Sequence, residues 1–349
     1  MSSKTKSVFL DRTVSNALRL FFELLVLIHH LYQPFTLVGS RISAILGPIA
    51  VGGFMFISGY GLGVSYQRDG DDYLRKLAFK RIPTTYLTIV VVNLFYLILF
   101  YLRGNSFNNA FSFIISVLYI PLFKGYVTLS HWIYFLADLM IYYIVFLILA
   151  IVNKKYNARL KSSAKFFVFL AVILCLILVI INLTTGSSRQ MRGIFLFPLG
   201  ILFAYGKDKL SRYVIKNKIK LVCTFSLIAV ALFSIFAQDY FYSGTNTAQV
   251  FCTVMFEYVI GTLFVLAIMV FCWGKTLKSK FIDMASSLVL YVYVSHEFFF
   301  RTFQHLFPNL HWALIMLLTV FYSILISMLI VLSRNKFYQL RRAKLKKKV

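Results

Sequence analysis

The chain has 349 residues, 60% hydrophobic and 14% charged, with a net charge of +26 and a mean hydropathy of +0.80. A soluble domain of this size carries more charge, and the apolar runs of about 18 residues or more that recur along the chain each suffice to cross a bilayer core, so a water-soluble fold is excluded. The Lys and Arg sit mostly in short stretches between those runs, which orients a membrane protein, attracts anionic membrane lipids and argues against nucleic acid as a partner.

The expected fold is all-α: one integral-membrane domain over 1–349, a polytopic bundle of about ten spanning helices. The spans are predicted near 18–38, 42–65, 82–102, 131–152, 165–184, 193–205, 220–237, 248–273, 286–307 and 312–333. The apolar run 111–123 is short, and charge decides its course. If it does not cross, one side of the membrane collects the N-terminus, the basic stretches 66–81, 153–165, 206–220 and 274–280, and a basic tail over 334–349. The other side keeps Arg41, Arg103, Lys124, Arg189 and Arg192. The positive-inside rule therefore predicts both termini in the cytoplasm, with 111–123 re-entrant or lying at the outer surface. A signal peptide is not expected, because the N-terminus lacks a short apolar core and a small-residue cleavage site. No internal repeat is visible.

The first predicted span contains "RLFFELLVLIHHLY", residues 19–32, with four ionisable side chains in an apolar run. Such residues are functional candidates by default. Arg19, Glu23 and His30 return to nearly the same helical face, and His29 points about 100° away. Arg19 and His30 are eleven residues apart, roughly 16 Å along a helix. A purely structural reading stays open: Arg19 reaching phosphates, Glu23 paired with it, the histidines bonded to carbonyls.

The second span carries "GGFMFISGYGLG", residues 52–63. Small residues let helices approach closely in lipid, and glycine also admits a ligand beside the backbone. On the second reading Ser58, Gly59 and Tyr60 line a binding site. The next stretch, "YLRKLAFKRIPTTYL", places Arg75, Lys76, Lys80 and Arg81 before a proline suited to a helix's first turn. It is either an ordinary orienting cluster or a phosphate clamp. Further on, His131 and Trp132 open a helix that carries Asp138, and a late apolar helix holds His296, Glu297 and Arg301. Cys175, Cys223, Cys252 and Cys272 have no metal-ligand or redox spacing and read as small core residues; no metal is expected.

Taken in order, these pieces resemble the integral-membrane acyltransferase family 3, bacterial enzymes that move acyl groups, usually acetyl, onto cell-surface glycans. Arg19 and His30 match its basic residue, ten intervening residues, then His. "FMFISGYGL" matches its Phe-rich Ser-Gly-Tyr segment, and "KRIP" follows in place. "HWIYFLADLMIYYIVFLI" and "YVYVSHE" resemble its Trp-led middle helix and its late Tyr-Leu-x-His helix. Two positions depart. Thr84 stands where many members have a second arginine, so Lys80 or Arg75 would supply that charge, and Ala137 and Asp138 stand where some have paired glutamates. The soluble extracytoplasmic domain fused to some members is absent from this sequence, so a second transfer step would need a separate extracytoplasmic transferase.

The resemblance implies an acyl-CoA donor, acetyl-CoA by default, and a glycan or lipid-linked saccharide acceptor, in the bacterial inner membrane. His30, Arg19 and Glu23 are then the catalytic candidates. Arg81, Lys80, Arg75, Ser58, Gly59 and Tyr60 are the donor-binding candidates, and His131, Trp132, Asp138 and His296 the acceptor-binding ones. A transporter or flippase for a lipid-linked glycan, with the ionisable residues lining a polar passage, is the alternative.

Overall fold

The computed structural model describes residues 10–32, 37–120, 129, 134–155, 170, 172–173, 176, 195–236 and 247–346. Every regular element among them is a helix. In order they are α1 (Arg12–Tyr32), α2 (Leu37–Asp69), α3 (Asp71–Lys76), a π turn (Leu77–Arg81), α4 (Ile82–Leu102), α5 (Ala110–Val117) and α6 (Tyr134–Lys155). Then come α7 (Leu196–Lys216), α8 (Lys218–Phe236), α9 (Thr247–Cys272), α10 (Lys280–Ser286), α11 (Val289–Leu306) and α12 (Trp312–Lys346).

About ten spans are expected from hydropathy; five described helical stretches are long and apolar enough to cross a membrane. These are Ile45–Asp69, Asp71–Leu102, Phe135–Val152, Lys218–Ile235 and Trp312–Ser333, with Leu196–Gly206 and Phe256–Cys272 as shorter apolar helices. Helices α1 and α11 coincide with two more expected spans, but ionisable side chains interrupt their apolar runs. The expected span 165–184 lies largely outside the described residues. Stretches read from the sequence as basic loops or tail are helical extensions. α7 continues to Lys216, α12 to Lys346, and α2 to Asp69, where Gly70 turns the chain with φ of 55°.

Helix α2 is the hub, packed against α1, α7 and α9. In lipid there is no hydrophobic gain from helix contact, so close van der Waals fit drives association. That fit is visible at Gly59, where a Cβ would overlap the Phe197 carbonyl of α7, and reciprocally at Gly200, where it would overlap the Phe56 carbonyl of α2. Large apolar side chains such as Leu227, Leu317 and Leu332 stay on the outside, as lipid contact requires.

Three contacts set α1 antiparallel to α2. The Tyr60 hydroxyl bonds to the Leu10 backbone, Phe22 covers Gly53, and the His29 ring covers Gly47. Helix α11 runs parallel to α1, because Asn16 Nδ2 donates to Asp283 Oδ1 at 2.8 Å near one end and His30 stacks on His296 further along. The same end therefore holds the start of α1, the end of α2 and α10.

Helix α5 has eight residues, about 12 Å, too short to cross the bilayer core. It folds back along α4. Asn93, near the midpoint of α4 and 1% exposed, donates to the Ser116 and Val117 carbonyls at 3.2 Å each. Tyr86 donates to the Leu118 carbonyl at 3.0 Å. Backbone bonds from Tyr119 to Ser116 and from Ile120 to Ile115, with Tyr119 at φ of 53°, close the helix in a Schellman turn. The carbonyls that any helix end leaves orphaned are thus met by side chains of the neighbouring helix, which is the condition for ending a helix at membrane depth.

Candidate active site

The π turn at Leu77–Arg81 fixes the first part of the site. Tyr73 and Arg81 are eight residues apart, which an α-helix would set about 80° from each other. The wider turn brings them onto one face. Arg81 donates to the Tyr73 hydroxyl at 2.9 Å and to the Tyr143 hydroxyl of α6 at 2.5 Å, and its guanidinium lies 4.5 Å from the Tyr143 ring centroid. Tyr73 is further bonded to Ser65. Arg19 on α1 joins the group, its charge acting on Arg81 and Tyr143. Neither arginine pairs with a carboxylate among the described residues. Two neighbouring cations, Arg81 held by two tyrosines and Arg19 beside it, have no carboxylate partner among the described residues and form a site suited to a polyanion.

Further along the same face of α1 lies the second part. His30 and His296 stack with ring centroids 5.3 Å apart and an interplanar angle of 26°. His296 is 1% exposed, and its Nδ1 lies 3.2 Å from the Val292 carbonyl. A carbonyl only accepts, so Nδ1 carries the proton there and the neutral ring keeps an acceptor at Nε2. His29 contacts His30 edge-on at 4.6 Å but turns to α2, where its ring lies 3.0 Å from the position a Cβ at Gly47 would take. The helical repeat thus sends the two neighbouring histidines to different partners.

Between the two parts sits Glu23, 5% exposed, whose carboxyl oxygens have no hydrogen-bond partner among the described residues. It pairs with neither His30 nor Arg19, the partner that the structural reading of the stripe gave it. Asp138 is 2% exposed on α6 and shares a face with Phe135, which packs against Phe54 and Tyr293. Tyr293 in turn contacts His296 at 5.9 Å. Asp138 therefore faces the same interior as the histidine pair.

Other expected site residues are not gathered here. Arg75 and Lys80 are exposed on the outer face of the α3–α4 connection, so the second charge beside Arg81 comes from Arg19 rather than from them. The close backbone approach at Gly59 serves helix packing, and Tyr60 is occupied with Leu10. Ser58 is half-buried on α2. His131 and Trp132 lie outside the described residues. Tyr73 and Tyr143, which hold Arg81, were missed; nothing in the local pattern separates them from the other aromatics.

Among the described residues no group of three or more His, Cys, Asp or Glu side chains is placed to hold a metal ion. No curated protein and no solved structure gives a match. A family model described as acyltransferase domain matches residues 14–332, a stretch that takes in Arg19, Glu23, His30, Arg81, Asp138 and His296. With nearly the whole chain covered and the apolar helices described above, the protein belongs to acyltransferase family 3 and is a membrane acyltransferase.

Proposed function

We propose that the protein moves an acyl group, acetyl by default, from acyl-CoA to a hydroxyl of a cell-surface or lipid-linked glycan. The observation that carries this reading is the single interior face of α1, with Arg19 and Arg81, which have no carboxylate partner among the described residues, toward one end and the His30–His296 stack about 16 Å further along. Phosphates are the natural ligands of the arginine end, where each charge-assisted contact contributes about 1.5–3 kcal/mol. In this reading that end faces the cytoplasm, where acyl-CoA is found, and both termini lie on the same side in a bacterial plasma membrane. The basic residues of the 66–81 and 274–280 stretches support that orientation.

A sugar hydroxyl is a poor nucleophile near neutral pH, and an imidazole is suited to take its proton. His30 is the general base. As the hydroxyl oxygen bonds to the thioester carbonyl carbon, its proton passes to the ring. The carbon–sulfur bond then breaks, and the departing CoA sulfur receives that proton, so histidine ends as it began. His296 fixes the His30 ring by stacking, and Asp138 faces the acceptor side of the same interior.

The test is direct. The protein in lipid nanodiscs is incubated with labelled acetyl-CoA and candidate oligosaccharides. Label in the glycan, with matching release of free CoA thiol and loss of both in His30→Ala, supports the reading. A wild-type protein that neither binds acetyl-CoA nor releases its thiol would rule it out.

A further inference from the structure

We infer that Glu23 is a donor-positioning residue: its carboxyl oxygens accept hydrogen bonds from the amide N–H groups of the pantetheine arm of acyl-CoA. The inference rests on the functional reading above and adds a contact to it. Both oxygens of Glu23 are buried without a hydrogen-bond partner among the described residues. Leaving a buried polar group unsatisfied is costly, and native interiors rarely tolerate it without a reason. The position of Glu23 says which ligand meets it. Four residues separate it from Arg19 and seven from His30, about 6 Å and 10 Å along one helical face. With phosphates at the arginines and the thioester at His30, the segment alongside Glu23 is the arm that joins them. That arm is polar only at its two amides and one secondary hydroxyl, and the amides supply the N–H donors that the Glu23 oxygens lack among the described residues. A sugar acceptor approaches His30 from the opposite direction and does not pass Glu23.

The experiment compares ligands with and without the arm. Adenosine 3′,5′-bisphosphate carries phosphates and no pantetheine. In Glu23→Leu the KM for acetyl-CoA is expected to rise about tenfold or more, with acceptor KM and inhibition by the bisphosphate essentially unchanged. A rise in acceptor KM alone, or equal loss of CoA and bisphosphate affinity, overturns the assignment. Should Glu23→Leu fail to fold, the wild-type protein answers by itself. A hydrophobic carbodiimide is expected to label Glu23, with Glu23→Gln as the site control, and CoA to protect it where the bisphosphate does not. Protection by both, or by neither, overturns the inference. If wild type binds neither CoA nor the bisphosphate, the functional reading falls as well, and the two failures are thereby told apart.

Discussion

His30 and His296, 266 residues apart in the chain, stack at 5.3 Å. Parallel packing of α11 on α1 makes that meeting possible, and the Asn16–Asp283 bond sets its register. In the proposed mechanism His296 holds, by this stacking, the ring that takes the proton.

His30→Ala is expected to abolish acyl transfer while leaving folded yield intact, since a positioned acid–base group contributes roughly 10²–10⁴-fold in rate. His29→Ala should keep most of the activity and lose thermal stability instead, because its ring fills the space over Gly47. Equal rate loss in both variants, measured as labelled product per folded protein, would falsify the division of the two rings between faces.

Arg81→Ala should raise the KM for acyl-CoA more than tenfold and leave the acceptor KM unchanged. Arg81→Lys should rescue little, since two tyrosine hydroxyls and a ring face match the guanidinium fork. Lys80→Ala and Arg75→Ala, on the exposed face, should behave as wild type in the same assay.

Gly59→Ala and Gly200→Ala should each reduce folded protein sharply, as overpacking costs about 1–3 kcal/mol and the obstacle here is backbone. Gly61→Ala should be silent, because nothing lies within 4 Å of the added carbon. Size-exclusion profiles in detergent separate the three. A well-folded Gly59→Ala protein with weakened CoA affinity would restore Gly59 to the donor site.

Asn93→Leu takes the side-chain donor from two carbonyls; Ser116 keeps its bond from the Tyr119 N–H, and Val117 loses the donor shown for it. A melting experiment in detergent should register a loss of about 1–3 kcal/mol, against little change for the exposed Thr88→Ala. No loss would mean that the end of α5 has another source of donors.

Orientation can be read by thiol labelling in a background without the native cysteines. A cysteine at Ser106 should react with an impermeant reagent in intact cells, and one at Lys278 only after permeabilisation. The difference follows from the basic 274–280 stretch, in which Lys275 and Lys280 flank the second site. Labelling at Lys278 from outside would place the arginine end away from the cytoplasmic donor.

The stripe of Arg19, Glu23 and His30 was legible because a helix repeats every 3.6 residues and ionisable side chains stand out in an apolar run. Hydropathy likewise located the helices, though it read the polar ends of α2, α7 and α12 as loops or tail, since charge marks the edge of a membrane and not the end of a helix. The arginine cluster was legible only in part. The resemblance offered Lys80 or Arg75 as the second charge beside Arg81, and the π turn that aims Arg81 inward follows from no propensity rule. The company of Tyr73, Tyr143 and His296 depends on tertiary packing, which a single sequence does not encode locally. At Gly59 two physical readings of one glycine competed, and the neighbouring Phe197 carbonyl decided between them.

The end of α5 has a consequence for biosynthesis. Its carbonyls are met by Asn93 and Tyr86, both on the helix that leaves the ribosome just before it. The donors are therefore already made when the acceptors emerge, and the segment through Ile120 holds everything the hairpin needs for this contact. The translocon need never hold α5 open while waiting for distant sequence. An Asn93 defect should consequently appear in nascent chains just long enough to carry Ile120 clear of the ribosomal tunnel, before the histidine of α11 has been translated.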